Sequence, residues 1–269
     1  MASKVVWMSG ASSGLGKAAC EALSQSGWTV VAGARSFANR EGQEGSVHYL
    51  ALDVRDDASV REFCQKAQAL YGPPHALLCA AGILVFGPAE ETSLLEYEAV
   101  MDTILMGTIR LTQAALPYLR KQPGGKIVML SSVNGLMPTP FQSAYMPAKH
   151  ALEGYSECLM LETAAQGIQV MLVEPGDHKG GSGKYRESTL TVSPLYEAAF
   201  SRARGVILQD EANGGSPAAF GRKLARVMGK RRLPARLRVT TLKETAAIVL
   251  HDVLPGRLFQ KFLRDYYKV

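Results

Sequence analysis

The run Gly10-Ala11-Ser12-Ser13-Gly14-Leu15-Gly16 constrains this chain more than any other stretch. It follows the apolar run Val5-Val6-Trp7-Met8 and opens a helix-like segment at about residues 14–26. Glycines in such a turn let the backbone bend sharply and approach a ligand closely. The helix behind them presents N–H groups and a positive dipole end, which suit a pyrophosphate. Strand, turn and helix in this order predict the opening unit of a dinucleotide-binding α/β fold. Gly10, Ser12, Ser13, Gly14, Leu15 and Gly16 are the candidate phosphate-binding residues.

The rest of the chain repeats the strand–helix rhythm. Strand-like runs fall at residues 4–9, 28–34, 47–53, 76–81, 126–132 and 168–174. They lack polar alternation, as strands buried on both faces of a parallel sheet do. Helix-like segments lie between them, at about 14–26, 56–71, 94–119 and 143–166, the last capped by Ser143. The expectation is an α/β fold, a Rossmann-type doubly wound parallel sheet with right-handed crossovers, forming one dinucleotide-binding domain over residues 1–269.

After Pro175 the rhythm changes. Residues 176–234 read as a substrate-binding insertion or lid, and 235–269 as a C-terminal strand and helices. The insertion carries Leu190, Val192, Leu195, Tyr196, Phe200, Val206, Ile207, Leu208, Phe220 and Met228, which favours a mostly apolar substrate. Near the end, Leu258, Phe259, Phe262, Leu263 and Tyr266 share one helical face, and Arg257, Lys261, Arg264 and Lys268 share another. Such a face most often packs on its own domain or a second subunit. Contact with an anionic membrane surface is the lesser alternative.

Bulk properties exclude several classes. An apolar fraction of 47%, a charged fraction of 20% and 26 glycines describe an ordinary soluble α/β protein. No apolar run approaches the ~20 residues that span a bilayer, and the N-terminus shows no cleavable signal, so a cytoplasmic location is expected. The four cysteines are scattered with no CxxC pair, which fits reduced thiols and offers no zinc site. No metal is expected. The net charge of +6 gathers in the last third, without interleaved aromatics, so a solvated basic face is expected and nucleic-acid binding is not.

Two further groups carry chemistry. At the end of the second strand, where a carboxylate would hold the ribose of NAD, the chain has Ala34 and then Arg35. An arginine there suits the 2′-phosphate of NADP(H), with NAD(H) the less favoured cofactor. Asp53-Val54 closes the third strand, where a carboxylate could meet the adenine amino group. Further along stand Ser132, then Tyr145 and Lys149, four apart and so on one helical face. Pro147 between them is tolerated if it lies in the first turn. An adjacent ammonium, with the positive nicotinamide ring, would draw the tyrosine down from its usual pKa near 10 toward operating pH.

Gly10 to Gly16, Asp53, Cys79-Ala80-Ala81-Gly82, Ser132, Tyr145, Lys149 and Glu174-Pro175-Gly176, in this order and spacing, resemble the short-chain dehydrogenase/reductase superfamily. Arg238-Val239, Leu254-Pro255 and Tyr266-Tyr267 resemble the hydroxysteroid and retinol dehydrogenases within it. The resemblance implies an NADP-dependent oxidoreductase acting on a carbonyl or secondary alcohol, often as a homodimer or homotetramer. It implies Tyr145 as general acid/base, Lys149 as the group that lowers its pKa and holds the nicotinamide ribose, and Ser132 as donor to the reacting oxygen. Ala80, Ala81, Gly82, Val54, Pro175 and Gly176 would line the cofactor.

Three departures stand against the family's pattern. Ile104 occupies the place of an asparagine that completes a water-linked proton relay. Cys79-Ala80-Ala81-Gly82 replaces Asn-Asn-Ala-Gly. Asp177-His178-Lys179-Gly180 replaces a stretch that usually carries a threonine for the nicotinamide carboxamide. Two other readings therefore stay open: an NADP-binding regulator with little turnover, and an epimerase or dehydratase using the same groups. His178 reads as structural or solvated rather than catalytic, and His150 as facing away from the site.

Overall fold

The computed structural model describes residues 3–180, 186–188 and 192–269, with backbone alone considered for 186–188. In chain order the strands are β1 (Lys4–Met8), β2 (Trp28–Ala34), β3 (Gly42–Glu44), β4 (Val47–Ala51), β5 (Ala76–Cys79), β6 (Leu84–Phe86), β7 (Lys126–Leu130), β8 (Gln169–Pro175), β9 (Arg186–Ser188) and β10 (Arg236–Val239). The helices are α1 (Gly14–Gln25), α2 (Asp57–Tyr71), α3 (Leu94–Met101), α4 (Gly107–Leu119), α5 (Tyr145–Thr163), α6 (Pro194–Asn213), α7 (Pro217–Met228), α8 (Leu242–Val253) and α9 (Gly256–Tyr267).

Among the described residues the main sheet runs β10-β8-β7-β5-β1-β2-β4-β3. Every pairing is parallel except the short edge pair of β3 with β4. The chain turns outward from β1 in both directions, so the topological switch lies between β1 and β5. Ligands of open α/β sheets settle at the carboxyl ends of strands flanking such a switch.

Successive strand residues point to opposite faces, which explains the unbroken apolar runs. Val5, Trp7, Leu77, Ile127, Met129 and Leu172 pack under α2, α4 and α5. Their neighbours Val6, Met8, Leu78, Val128, Met171 and Val173 pack under α1 and α7. Both layers are dry: Trp7, Leu77, Met8 and Leu78 are almost wholly buried. Truncating such a leucine to alanine costs about 2–5 kcal/mol.

The structure divides the segment expected to be one lid. α7 is a crossover helix between β8 and β10, with Phe220, Leu224 and Met228 in the core beside α1. Phe220 and Met228 therefore do not line a substrate site as expected. α6 lies over the carboxyl ends of the strands, where the ring of Phe200 meets Phe86 at 5.0 Å and Phe141 at 5.3 Å. Leu195 and Leu208 are exposed, and Leu190 lies outside the described residues.

The expected helix over 94–119 is α3 and α4 joined by one wide π-turn at Asp102–Met106. α3 starts with a full capping box, Ser93 and Glu96 each bonding the other's backbone. Ser143 is not the cap of α5: the helix begins at Tyr145, and the Ser143 hydroxyl pairs with that of Tyr97 at 2.6 Å. Pro147 still falls in the first turn, where its missing N–H costs nothing.

Candidate active site

One cleft of about 990 Å³ crosses the carboxyl ends of the strands. Of the candidate catalytic and cofactor-binding residues, all but Gly14 line it: Gly10, Ser12, Ser13, Leu15, Gly16, Arg35, Asp53, Val54, Ala80, Ala81, Gly82, Ser132, Tyr145, Lys149, Pro175 and Gly176. Gly14 begins α1 at the edge of the same turn.

The dinucleotide end is a cradle of bare backbone. Gly10 has φ +69°, and a Cβ there would lie 2.5 Å from the carbonyl of Ala80. A Cβ on Gly16 would lie 2.1 Å from the Gly10 oxygen. Turn, helix and the β5 loop can close on one another only without these side chains. Ser9 ties the second wall, its hydroxyl accepting the N–H groups of Ala80 and Ala81 at 3.2 and 3.3 Å. α1 has no acid in its first turn, so no carboxylate competes for its positive end. These features fit a bound dinucleotide.

Arg35 leaves β2 exposed at the rim of the cleft. Asp53 is gripped by the fork of Arg55, whose Nε and Nη2 donate at 3.2 and 3.0 Å. Burial pushes the Asp53 carboxyl up, but the Arg55 hydrogen bonds and charge, with that of Arg35, outweigh it and hold it below its ordinary range. Arg55 lines the cleft and went unnoticed in the sequence, although it stands two residues past Asp53.

The chemical end rests on α5 and the turn after β7. Ser132 caps a short 3₁₀ turn, its hydroxyl accepting the N–H of Asn134 at 3.1 Å. With a lone pair so engaged, the hydroxyl proton can turn toward Tyr145, which lines the same wall and whose pKa the Ser132 hydroxyl lowers. Asn134 is held by Gln142 at 2.5 Å, a bracing pair with no motif to announce it. Lys149, one turn along α5, donates to the Leu130 carbonyl at 2.6 Å and stands 5.5 Å from the centre of the Tyr145 ring.

The sequence expectation places the positive nicotinamide ring beside the tyrosine. In the protein itself burial dominates: it pushes Tyr145 up to about 12, against the lowering effect of the Ser132 bond. Burial also draws Lys149 down to about 8, opposed by the negative charge of Glu153. Tyr145 is thus a neutral phenol at pH 7 with a proton to give.

Ile104 does not face this chemistry. It sits wholly buried in the core beside Gly82, on the π-turn. Its neighbour Thr103 lines the cleft, with its hydroxyl on the Ala99 carbonyl at 2.7 Å. Beyond Pro175, the Asp177 backbone N–H donates to the Glu244 carboxylate at 2.5 Å. Its carboxyl is raised to about 7, first by burial and then by Glu244, Asp210 and Glu211. His178 bonds the Gly176 carbonyl at 2.8 Å and meets the Phe220 ring edge-on, and burial lowers its pKa. His150 is exposed outside the cleft. At the far end Val206, Ile207, Leu250, Phe262 and Leu263 supply apolar walls.

A family model of short chain dehydrogenases matches residues 4–189. The chain belongs to the short-chain dehydrogenase family. Its proteins are oxidoreductases of CH–OH and C=O groups, and so is this one. It is 32% identical to a 3-ketodihydrosphingosine reductase of Bacteroides thetaiotaomicron over 271 residues, all of both chains. It is 40% identical to rat estradiol 17-beta-dehydrogenase 1 over 132 residues, covering 49% of this chain and 38% of the relative. A solved short-chain dehydrogenase from Streptomyces avermitilis superposes with a TM-score of 0.82 at 28% identity, covering 99% of this chain and 98% of that one. No described helix of this oxidoreductase is long and apolar enough to cross a membrane. The described residues hold no cluster of three or more His, Cys, Asp or Glu able to bind a metal.

Proposed function

We propose that the protein reduces the ketone of a long-chain, mostly apolar substrate with NADPH, Tyr145 donating the proton. One observation carries the reading: the phenol of Tyr145, in one wall with Ser132 and one turn from Lys149, faces a single cleft running from the glycine cradle to the apolar end. The Bacteroides relative, matched end to end, supports 3-ketodihydrosphingosine as the first substrate to try. Arg35 at the rim, with no carboxylate beside it in sequence, supports NADPH over NADH.

Bound NADPH supplies the hydride. Ser132 holds the carbonyl oxygen and meets the charge that develops on it. Tyr145 delivers the proton to that oxygen; burial makes the phenol reluctant to give it up, and the positive charge of Lys149 beside it is what would draw the proton off. Lys149 then stabilises the phenolate left behind and recovers the proton from solvent, its own pKa near 8 permitting exchange close to neutral pH. Thr103 is the polar side chain of the π-turn placed on the cleft, where Ile104 offers none.

The test follows absorbance of reduced cofactor with 3-ketodihydrosphingosine and with short-chain ketones. Consumption of NADPH with the long-chain ketone, and much less with short ones, is the expected result. Tight NADPH binding without consumption in either direction would sink the reductase in favour of a regulator. Product formation without net cofactor consumption would point to an epimerase.

A further inference from the structure

α8 wears its apolar residues on the wrong side for a helix that only packs inward. At 100° per residue, Leu242, Ala246, Val249 and Val253 fall within about 60° of arc. All four are exposed, Leu242 by 90%, Val249 by 51% and Val253 by 68%. Glu244 and Ile248 form the buried side. α9 lies beside it, with Ile248 and Phe259 in one cluster and the His251 ring 5.0 Å from Phe259. The inward face of α9 is Phe259, Leu263, Tyr266 and Tyr267. Leu258 and Phe262, expected to join it, stay 56% and 42% exposed.

These two strips border the cleft. Ala246 and Phe262 belong both to the exposed strips and to the lining, and Leu250 and Leu263 carry the lining inward. Next to them on α9, Arg257, Lys261, Arg264 and Lys268 form an exposed row against one acid, Asp265. On α8 the exposed acid Asp252 is paired with His251, and Lys243 with Asp210.

We propose that the α8–α9 pair lays this strip on an anionic lipid bilayer, so that the mouth of the cleft opens onto acyl chains. Exposed apolar residues flanked by lysine and arginine are what an interfacial helix uses: the first enter the acyl boundary and the second meet lipid phosphates. A second copy of the chain fits less well. A twofold interface presents the same patch from each subunit, which would set one α9 row of four cations near the other on a chain already carrying +6. The inference rests on the proposed function only for its benefit, a lipid-like ketone passing from bilayer to Tyr145 without crossing water. Binding itself needs no turnover.

The experiment is co-sedimentation of the full chain with phosphatidylcholine vesicles, with and without phosphatidylglycerol. Binding should require the anionic lipid and weaken with salt. Lys261→Glu with Arg264→Glu should lower affinity by well over tenfold, at about fivefold for each basic residue lost. Val249→Glu with Val253→Glu should abolish binding while melting temperature and NADPH affinity hold. Leu242→Ser with Val253→Ser is the gentler pair should the glutamates disturb folding. None of these residues lines the cleft. Equal sedimentation with zwitterionic vesicles, or variants that bind like the parent, would overturn the proposal. So would variants that only turn a dimer into monomers. A chain that binds vesicles but leaves 3-ketodihydrosphingosine untouched would break the functional reading and leave this one standing. Turnover in detergent without vesicle binding would do the reverse.

Discussion

Two regions face the same cleft and are held by opposite means. Up to Gly176, the site is fixed through backbone: Gly10 against the Ala80 carbonyl, Ser9 on two N–H groups, Ser132 under the Asn134 N–H, Lys149 on the Leu130 carbonyl. Beyond the backbone-paired turn at Asp177–Lys179, the apolar end is fixed through side chains: Phe200 among Phe86 and Phe141, Lys243 between Asp210 and Tyr266. Backbone contacts tolerate almost no change of residue. Side-chain contacts can be exchanged for others of similar volume. On the proposed function, the first region does the chemistry and the second chooses the substrate.

The comparison can be broken at several points. Tyr145→Phe removes the proton donor and should lower kcat by about 10²–10⁴-fold with cofactor affinity nearly unchanged, read by steady-state kinetics and NADPH titration. Retained turnover would move the chemistry out of the first region. Gly10→Ala should destabilise by about 2–4 kcal/mol, from its positive φ and the clash with Ala80. Gly205→Ala on α6, where a Cβ would meet nothing within 4 Å, should instead stabilise by about 0.5–1 kcal/mol. Chemical denaturation of both measures the contrast directly, and equal effects would erase it.

Arg35→Ala should weaken NADPH by about 10–100-fold, the worth of a charge-assisted contact, and leave NADH almost alone. Equal weakening of both would remove the cofactor preference from β2. A pH dependence belongs to Asp177. Its folded pKa of about 7 lies above its ordinary 3.8, so between these values the folded state holds more protons than the unfolded. Stability attributable to it therefore falls as pH rises from about 4 to 7. Asp177→Asn should flatten melting temperature against pH in that window, and an unchanged slope would take that pH dependence away from Asp177.

The same division governs what could be read in advance. The sheet was legible because unbroken apolar runs of strand length are local patterns, and Ser132, Tyr145 and Lys149 because their order and spacing after the glycine turn resemble the family's. β3 was not, since Gly42-Gln43-Glu44 is polar and pairs only by its edge. The π-turn at Asp102–Met106 was hidden because a wide turn leaves helical periodicity nearly intact on either side; it is what sends Ile104 to the core and Thr103 to the cleft. α7 passed for lid because its segment follows an irregular stretch, whereas its burial against α1 is a contact made across two hundred residues of sequence. The Tyr145 phenol reads as low in sequence and high in structure because a neighbouring cation is visible in a string of letters and desolvation is not.

Strand β10 has a consequence for how the protein is made. Arg236 and Arg238 both pair with Glu174, which is wholly buried, and Arg236 also reaches Glu153, one turn beyond Lys149 on α5. A buried carboxylate without its cation is strongly unfavourable. The arginine follows Glu153 by 83 residues, about 4–17 s of synthesis at ~5–20 residues per second. Glu174 on β8 likewise precedes Arg236 by 62 residues, so both acids are made before the cation that pairs with them. Closing the catalytic helix onto the sheet before the strand that completes the edge has been made would bury Glu174 without its cations, at the cost of an uncompensated charge.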